Sequence, residues 1–534
     1  MSIVYLRNKK NGVTYVYESK GYWDKEKKQA RNQRKYIGKI DPATGEIIHS
    51  KKYQGAAQQS AEQGLLSCQE LRSSFYGATY LFDTIGEKLG VTEDLKKCFP
   101  DSYRQIMSIA YYLIMENYNP LSRFPKWART HANPCGRIIP SQRGNEFFAA
   151  FKEEEIHKFF QLQHKRRSEN EYLVYGVASV ASFSKSLKRA RLNLDKGPDP
   201  LSHVNLAVVF GESSRLPVYF KTLPINITDA KAVPGILSDI GFLSNENTKL
   251  VMGRGFYSEK NVNELYKDRR NFLIAAKMAT KPVREKLDEA RDRMTYQNHY
   301  STKYGIYYDS FLMNWDYSET RPRTGDVFKD ARNMYLHLFY NDQRAADDKI
   351  ALNKLLDNLE EELASGWLIP EYEKFYARYY EILNNHPERR LSITQKQDAV
   401  AGDRKNYGYF AFISNDIKEP LQALDVYCAK SMIETAFGNI KERVNMRRTS
   451  EYSEENIEGR LFVQFVALIY MSYIKKTMNE NDLYRRYTMH ELLDELDVIE
   501  RFEQHGKKPF LGEITKKQLY LYERLGVRPP HWYN

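Results

Sequence analysis

Between Tyr427 and Lys441 a single carboxylate, Glu434, lies among amines in the spacing Tyr-x2-Lys-x3-Glu-x6-Lys. At about 100° per residue on a helix, Tyr427, Lys430, Glu434 and Lys441 fall within roughly 60° of one another. Ile433, Ala436, Phe437, Ile440 and Val444 form the adjoining apolar stripe. One face therefore packs while its neighbour presents polar groups. From periodicity alone, the larger share goes to an ordinary amphipathic helix with a solvated edge. A lone carboxylate can be one ligand of a hard cation.

Upstream of this helix the pattern is one of strands. From residue 171 "EYLVYGVASVAS", "VNLAVVF" and "LPVYFKTL" follow one another, the last two joined by "GESSR" as a hairpin. A helix near "DAKAVPGILSDIG", the strand "KLVM", the helix "SEKNVNELYKD" and the strand "NFLIAAKM" come next. The order β-β-β-α-β-α-β predicts a mixed sheet, a meander followed by βα crossovers. "KLVMGRGFYSEKN" ends its strand at Gly253, a position where a reactive side chain could stand and none does.

Around this core the remaining pattern predicts six segments. Residues 1–58 read as a basic β-rich domain, 59–165 as helical, 166–280 as the first part of the core, and 281–405 as an insertion with strands "GIYYDSFLMNWDY" and "NMYLHLFY" and a charged helix. Residues 406–476 close the core with the Glu434 helix, and 477–534, including "MHELLDELDVIERF", read as helical. At 534 residues the chain is too long for one ordinary core. With 42% hydrophobic and 28% charged residues its balance is globular.

The net charge of +12 and pI near 9.1 favour a polyanionic partner. Residues 1–53 hold 13 Lys or Arg against 5 Asp or Glu, so this tenth of the chain supplies +8 of the excess. Its alternating runs joined at Asn11-Gly12 predict a hairpin, with a third strand at "RKYIGKI". Tyr15, Tyr17, Tyr22 and Trp23 interleaved with Lys9, Lys10, Lys27, Lys28, Arg31, Arg34 and Lys35 suit a DNA-contacting sheet; the alternative is a β-rich cap with solvated lysines. Further basic clusters contain Lys188, Arg189 and Arg191 near the first core strand, and Arg447 and Arg448 after the late helix.

Other classes are set aside by what the residues lack. "LFVQFVALIYMSYI", Leu461–Ile474, is too short to span a bilayer and carries Gln464, so it predicts a buried core helix and no membrane partner. "MSIVYLRNKKNG" lacks a signal-peptide apolar region, from which a cytoplasmic location is expected. Cys68, Cys98, Cys135 and Cys428 are far apart without a CxxC, and His203, His337 and His490 are scattered. Neither set predicts a zinc site or a disulfide framework.

The Tyr427–Lys441 spacing resembles the Tyr-Arg-Glu-Lys signature of DDE transposases in the insertion sequence four superfamily, with Lys430 where that signature has arginine. "NLAVVFGESSRLPVYFKTLPINITDAK" resembles the family's second and third strands, and "LVMGRGFYSEKN" its fourth strand and turn. "GRLFVQFVALIYMSYIKK" and "GEITKKQLYLYERLGV" resemble the C-terminal part of a large subgroup. The resemblance implies a ribonuclease H-like α/β core with a β-containing insertion. It also implies magnesium as cofactor, binding as a homodimer to double-stranded DNA at terminal inverted repeats, and a bacterial, nucleoid-associated setting.

By the same resemblance, carboxylates come from the first strand, the end of the fourth strand and the late helix. Glu434 fits the third position, with Tyr427, Lys430, Lys441 and Arg254 in support. The other two positions fall on Gly176 and Gly253. Glu171, five residues before Gly176, lies on the opposite strand face about 16 Å away, and Glu259 is explained by its helix start, so neither substitutes. The expectation is a DNA-binding protein with a defective centre; the alternative is an active transposase with metal ligands from the insertion or another protomer.

Overall fold

The computed structural model describes residues 2–9, 11–24, 29–41, 46–50, 71–116, 121–136, 144–167, 171–182, 191–193, 201–223, 235, 241, 248–320, 325–383, 392–428, 430, 454–504 and 507–530. The chain divides into two compact units: residues 1–76 with 499–514 and 531–534, and residues 77–498 with 515–530.

In the first unit β1 (Ser2–Arg7), β2 (Thr14–Asp24), β3 (Gln29–Ile40) and β4 (Ile47–His49) form an antiparallel sheet in sequence order. The β1–β2 turn forms where expected, because Gly12 takes a left-handed φ of 69° and Asn11 Oδ1 accepts the Val13 amide at 3.2 Å. Val16 and Ile37 are buried, and Tyr36 packs at 5.9 Å from Tyr15 and 5.5 Å from Tyr17 between ring centroids.

The unit also contains β5 (Leu71–Phe75), paired antiparallel with Glu500–Gln504, which in turn pairs with Phe510–Leu511. This corrects the wholly helical reading of both flanks. Met489–Asp497 is helical and closed by a Thr488 capping box, but after Asp497 the β-branched pair Val498-Ile499 leads into the strand.

The second unit is built on a ten-stranded mixed sheet. In chain order its strands are β6 (Tyr172–Ser182), β7 (Arg191–Asn193), β8 (Leu201–Gly211), β9 (Pro217–Leu223), β10 (Lys249–Met252), β11 (Asn271–Ala276), β12 (Tyr300–Ser301), β13 (Ile306–Thr320) and β14 (Val327–Tyr340). After β15 (Tyr380–Leu383) and β16 (Ser392–Gln395), which pair separately, β17 (Tyr409–Ser414) returns to the main sheet. Strands β9-β8-β6 form an antiparallel meander, and β10 and β11 continue parallel to β6. This is the ribonuclease H-like order, with the first core strand in the middle. The segments β10 and β11 are buried along nearly their whole length, which is why they read as continuous apolar runs.

Beyond β11 the sheet continues through β17, β14, β13 and β12, so the long hairpin of the expected insertion extends the central sheet. Only Tyr335–Tyr340 of β14 pairs with β17, and residues 327–333 are exposed. The rest of the inserted stretch has its own core, with Leu352, Leu356, Leu359 and Leu363 of helix Asp342–Ser365 packed with Tyr376, Tyr379, Tyr380 and Val400. The apolar helix Glu454–Glu480 is a core element: 83% of its most apolar window is buried, and Phe462 and Phe465 pack against Phe160 at 6.4 and 5.2 Å. The helix expected near residues 229–241 falls almost entirely outside the described residues.

Candidate active site

Of the two glycines expected at carboxylate positions, Gly176 lies on β6 and Gly253 directly follows the neighbouring strand β10. The pairing of β10 with β6 sets Lys249 beside Tyr172, Leu250 beside Leu173 and Val251 beside Val174. Continuing that parallel register by two residues places Gly253 beside Gly176, on the sheet face shared by Val251 and Val174. Both glycines are buried. Gly253 has φ −73° and ψ 171°, which continues the extended backbone past Met252 before the short 3-10 turn Arg254–Phe256. Arg254 is exposed in that turn, and Ser258 caps the following helix, Glu259–Lys267, by accepting the Asn261 amide at 3.2 Å.

The late helix crosses above this point. Residues 420–428 are helical, and Tyr427 stacks on Phe412 of β17 at 4.3 Å and 28°. Two residues earlier, Asp425 accepts a hydrogen bond from Tyr304 and lies 3.7 Å from Lys303. One turn later, Lys430 lies 5.8 Å from the Tyr427 ring centre and reaches Gly253. A Cβ placed on Gly253 would be 3.2 Å from Lys430 Cε and 3.3 Å from Lys430 Nζ. The sequence named Lys430 as a supporting residue. Its seat against the empty strand end depends on the crossing of a helix over the sheet, which no local pattern carries.

The other candidates are placed as follows. Glu434, Lys441, Arg447, Arg448, Lys188, Arg189, Lys10, Lys27 and Lys28 lie outside the described residues. Arg191 opens the short strand β7, opposite His203 of β8, and Arg31 lies on β3 opposite Tyr22. Lys9, in the β1–β2 turn, and Arg34 and Lys35, on β3, are exposed. Glu171 is buried at the start of β6, where its Oε1 accepts the Ser213 hydroxyl at 3.1 Å and the Ser214 amide. Glu259 lines a different cleft of about 610 Å³ with Asn263, Lys267 and Tyr317. Neither carboxylate belongs to the Gly176–Gly253 site. His337 is buried between Ser310, 2.9 Å from its Nδ1, and the Ile417 carbonyl, 3.1 Å from its Nε2.

Residues 201–470 match the family described as Transposase DDE domain, a span of half the chain that begins at β8 and includes Gly253 and Lys430. The chain belongs to the transposase DDE domain family. A cryo-EM structure of a piggyBac transposase synaptic complex with hairpin DNA aligns over 78% of this chain and 70% of that one, at 9% identity and a TM-score of 0.31, a likeness too distant to carry an argument. No curated protein matches the chain.

The transposase DDE domain family implies divalent metal, and the described residues at the two expected strand positions, Gly176 and Gly253, offer it no ligand. Two magnesium ions demand several hard oxygen ligands. At Gly176 and Gly253 there is no side-chain oxygen, and the group nearest the Gly253 Cβ direction is an ammonium. Among the described residues no cluster of three or more His, Cys, Asp or Glu side chains is arranged to hold a metal. Among the described residues, the arrangement seats the Lys430 amine against Gly253, just past the end of β10 and beside the middle of β6.

Proposed function

We propose that this protein is a transposase-derived DNA-binding protein that recognises the ends of a mobile element and does not cut or join them. The observation that supports the reading is the β6–β10 register, which runs to Val174 opposite Val251 and, continued by two residues, brings together Gly176 and Gly253, the two positions where carboxylates were expected. Supporting it are the family match and the concentration of positive charge in residues 1–53. Double-stranded DNA carrying terminal inverted repeats is the partner, bound from the cytoplasm of a bacterial cell, with a homodimer bringing two ends together.

The test is cleavage of DNA carrying the element's own terminal repeats in Mg²⁺ or Mn²⁺, comparing the unchanged chain with Gly176→Asp plus Gly253→Asp. The unchanged chain is expected to bind and leave the DNA intact. Cleavage by the unchanged chain would overturn the reading in favour of an active transposase drawing metal ligands from elsewhere.

A further inference from the structure

At the start of β6, away from the two glycines, the second unit carries a cleft of about 600 Å³. Segments distant in the chain close it. The helices Gly77–Lys88 and Glu153–Lys165 bring Lys88, Arg166 and Arg167 at their C-terminal ends, and the helix Glu454–Glu480 brings Lys476. The β8–β9 turn adds Ser213 and Ser214 beside Glu171. Glu171 stands five residues before Gly176, about 16 Å along the strand, so this cleft and the candidate active site are separate places.

Basic residues at a helix C-terminus complement its dipole, which accounts for Lys88 and Arg166. It does not account for burying Arg167, nor for Lys476, which precedes the last turn of its helix. Arg167 Nη2 donates to the Pro217 carbonyl at 3.2 Å, its Nε is buried without an acceptor, and it forms no ion pair among the described residues. Burial pushes its pKa down from 12.5 to about 10, against the pull of Glu171. A guanidinium drawn out of water is stabilised by an anion, and Glu171 Oε1 is already held by Ser213 and Ser214. Lys476 donates to the Ser213 carbonyl at 3.2 Å and lies 4.0 Å from Glu480, an exposed pair that neutralises it little. Lys88 donates to two neutral groups, the Tyr473 hydroxyl at 2.7 Å and the Gly526 carbonyl at 3.2 Å. Arg166, by contrast, is paired with both oxygens of the buried Asp94 at 2.7 Å.

With Arg166 cancelled by Asp94, the remaining cations and Glu171 leave about two positive charges on the cleft. That balance suits one dianion better than a run of singly charged diesters passing a wall that holds a carboxylate. A phosphate monoester carries roughly −1.5 to −2 charges at neutral pH and three acceptor oxygens. Those oxygens match the donors of Lys88, Arg167 and Lys476, and the cleft has the volume of a small-molecule site. We infer that this cleft binds a small phosphate monoester, a ligand distinct from DNA that ties the two upstream helices to the β8–β9 turn and the core helix. The inference stands apart from the DNA-end reading above.

Isothermal titration calorimetry on the full-length protein, at neutral pH and physiological ionic strength, tests it with phenyl phosphate and methyl phenyl phosphate, a monoester and a diester that differ by one charge. The native chain is expected to bind the monoester roughly tenfold more tightly than the diester, and the monoester to raise the thermal midpoint. Arg167→Gln and Lys476→Gln should each weaken monoester binding by roughly tenfold, and Lys476→Arg should recover most of the loss. Lys354→Gln, on the exposed face of the inserted helix, should change nothing. No monoester binding by the native chain, equal binding of the two probes, or unchanged affinity in Lys476→Gln overturns the inference. Displacement of phenyl phosphate by a 5′-phosphorylated duplex would give the cleft to DNA ends and overturn the small-ligand assignment. Lys476 is partly exposed, so its variants decide the matter even if Arg167→Gln does not fold.

Discussion

The backbone does not impose glycine at residue 253. Its φ of −73° is open to any residue, and among the described residues a Cβ would meet the far end of the Lys430 side chain, which can shift by a few tenths of an ångström. Gly211, at the end of β8, is different: a Cβ there would lie 2.2 Å from Glu171 Oε1 and 2.3 Å from Ser214 Oγ, and Glu171 is tied to that turn by hydrogen bonds from Ser213 and Ser214. Gly253→Ala is therefore expected to leave stability unchanged or raise it by up to about 1 kcal/mol, since it narrows the unfolded ensemble. Gly211→Ala should cost about 1–3 kcal/mol through overpacking. Thermal denaturation of both variants checks the contrast, and a large loss for Gly253→Ala would make its glycine structural. The emptiness of position 253 was legible in "KLVMGRGFYSEKN" because the strand, the turn and the Ser258-capped helix are local patterns. The reason it can stay empty was not, because Lys430 arrives from far along the chain.

At the scale of elements, close approach and burial set the sensitive points. Gly459 lies in the core helix Glu454–Glu480, and a Cβ there would be 2.1 Å from the Phe148 carbonyl oxygen of the helix Gly144–Ala149. Gly459→Ala gains helix propensity but must push the two helices apart, and a net loss of about 1–3 kcal/mol in denaturant unfolding is expected. His337 on β14 gives a pH dependence. Burial pushes its pKa down from 6.5 to about 4, opposed by its hydrogen bond to the Ile417 carbonyl. The folded state thus prefers the neutral ring, a preference fully present above pH 6.5 and lost as pH falls from there through 4. The loss approaches roughly 3 kcal/mol. Urea midpoints between pH 7 and 4 should fall for the native chain and fall less steeply for His337→Gln; identical slopes would remove His337 from that account. The strands β6, β8, β10 and β11 were readable because apolar runs mark strands covered on both faces. Strand Glu500–Gln504 was hidden because the preceding residues carry true helical amphipathicity and its partner, β5, lies far upstream.

At the scale of the whole molecule, charge and fold are divided unequally between the two units. Residues 1–53 carry most of the net charge, while the DDE match begins at residue 201. Deleting residues 1–53 is expected to weaken binding to element-end DNA and to flatten its salt dependence by about 0.9 per phosphate contact removed. Anisotropy titrations across a salt series check this, and unchanged affinity and slope would take DNA contact away from this sheet. The truncation stops short of β5, because Leu71–Phe75 pairs with Glu500–Gln504 and its removal would expose a strand edge. The sequence by itself determined the order of strands and helices, the basic N-terminal sheet, the two glycines where carboxylates were expected, and the buried nature of the helix around residues 461–474. These follow from periodicity, turn residues and charge, which are properties of neighbouring residues. Tertiary structure alone decided that Gly176 and Gly253 stand side by side, that the inserted hairpin extends the central sheet, and that Lys430 fills the space above Gly253. Strand register, sheet edges and the crossing of a helix over a sheet are set by contacts between distant segments, and only the folded chain brings those segments together.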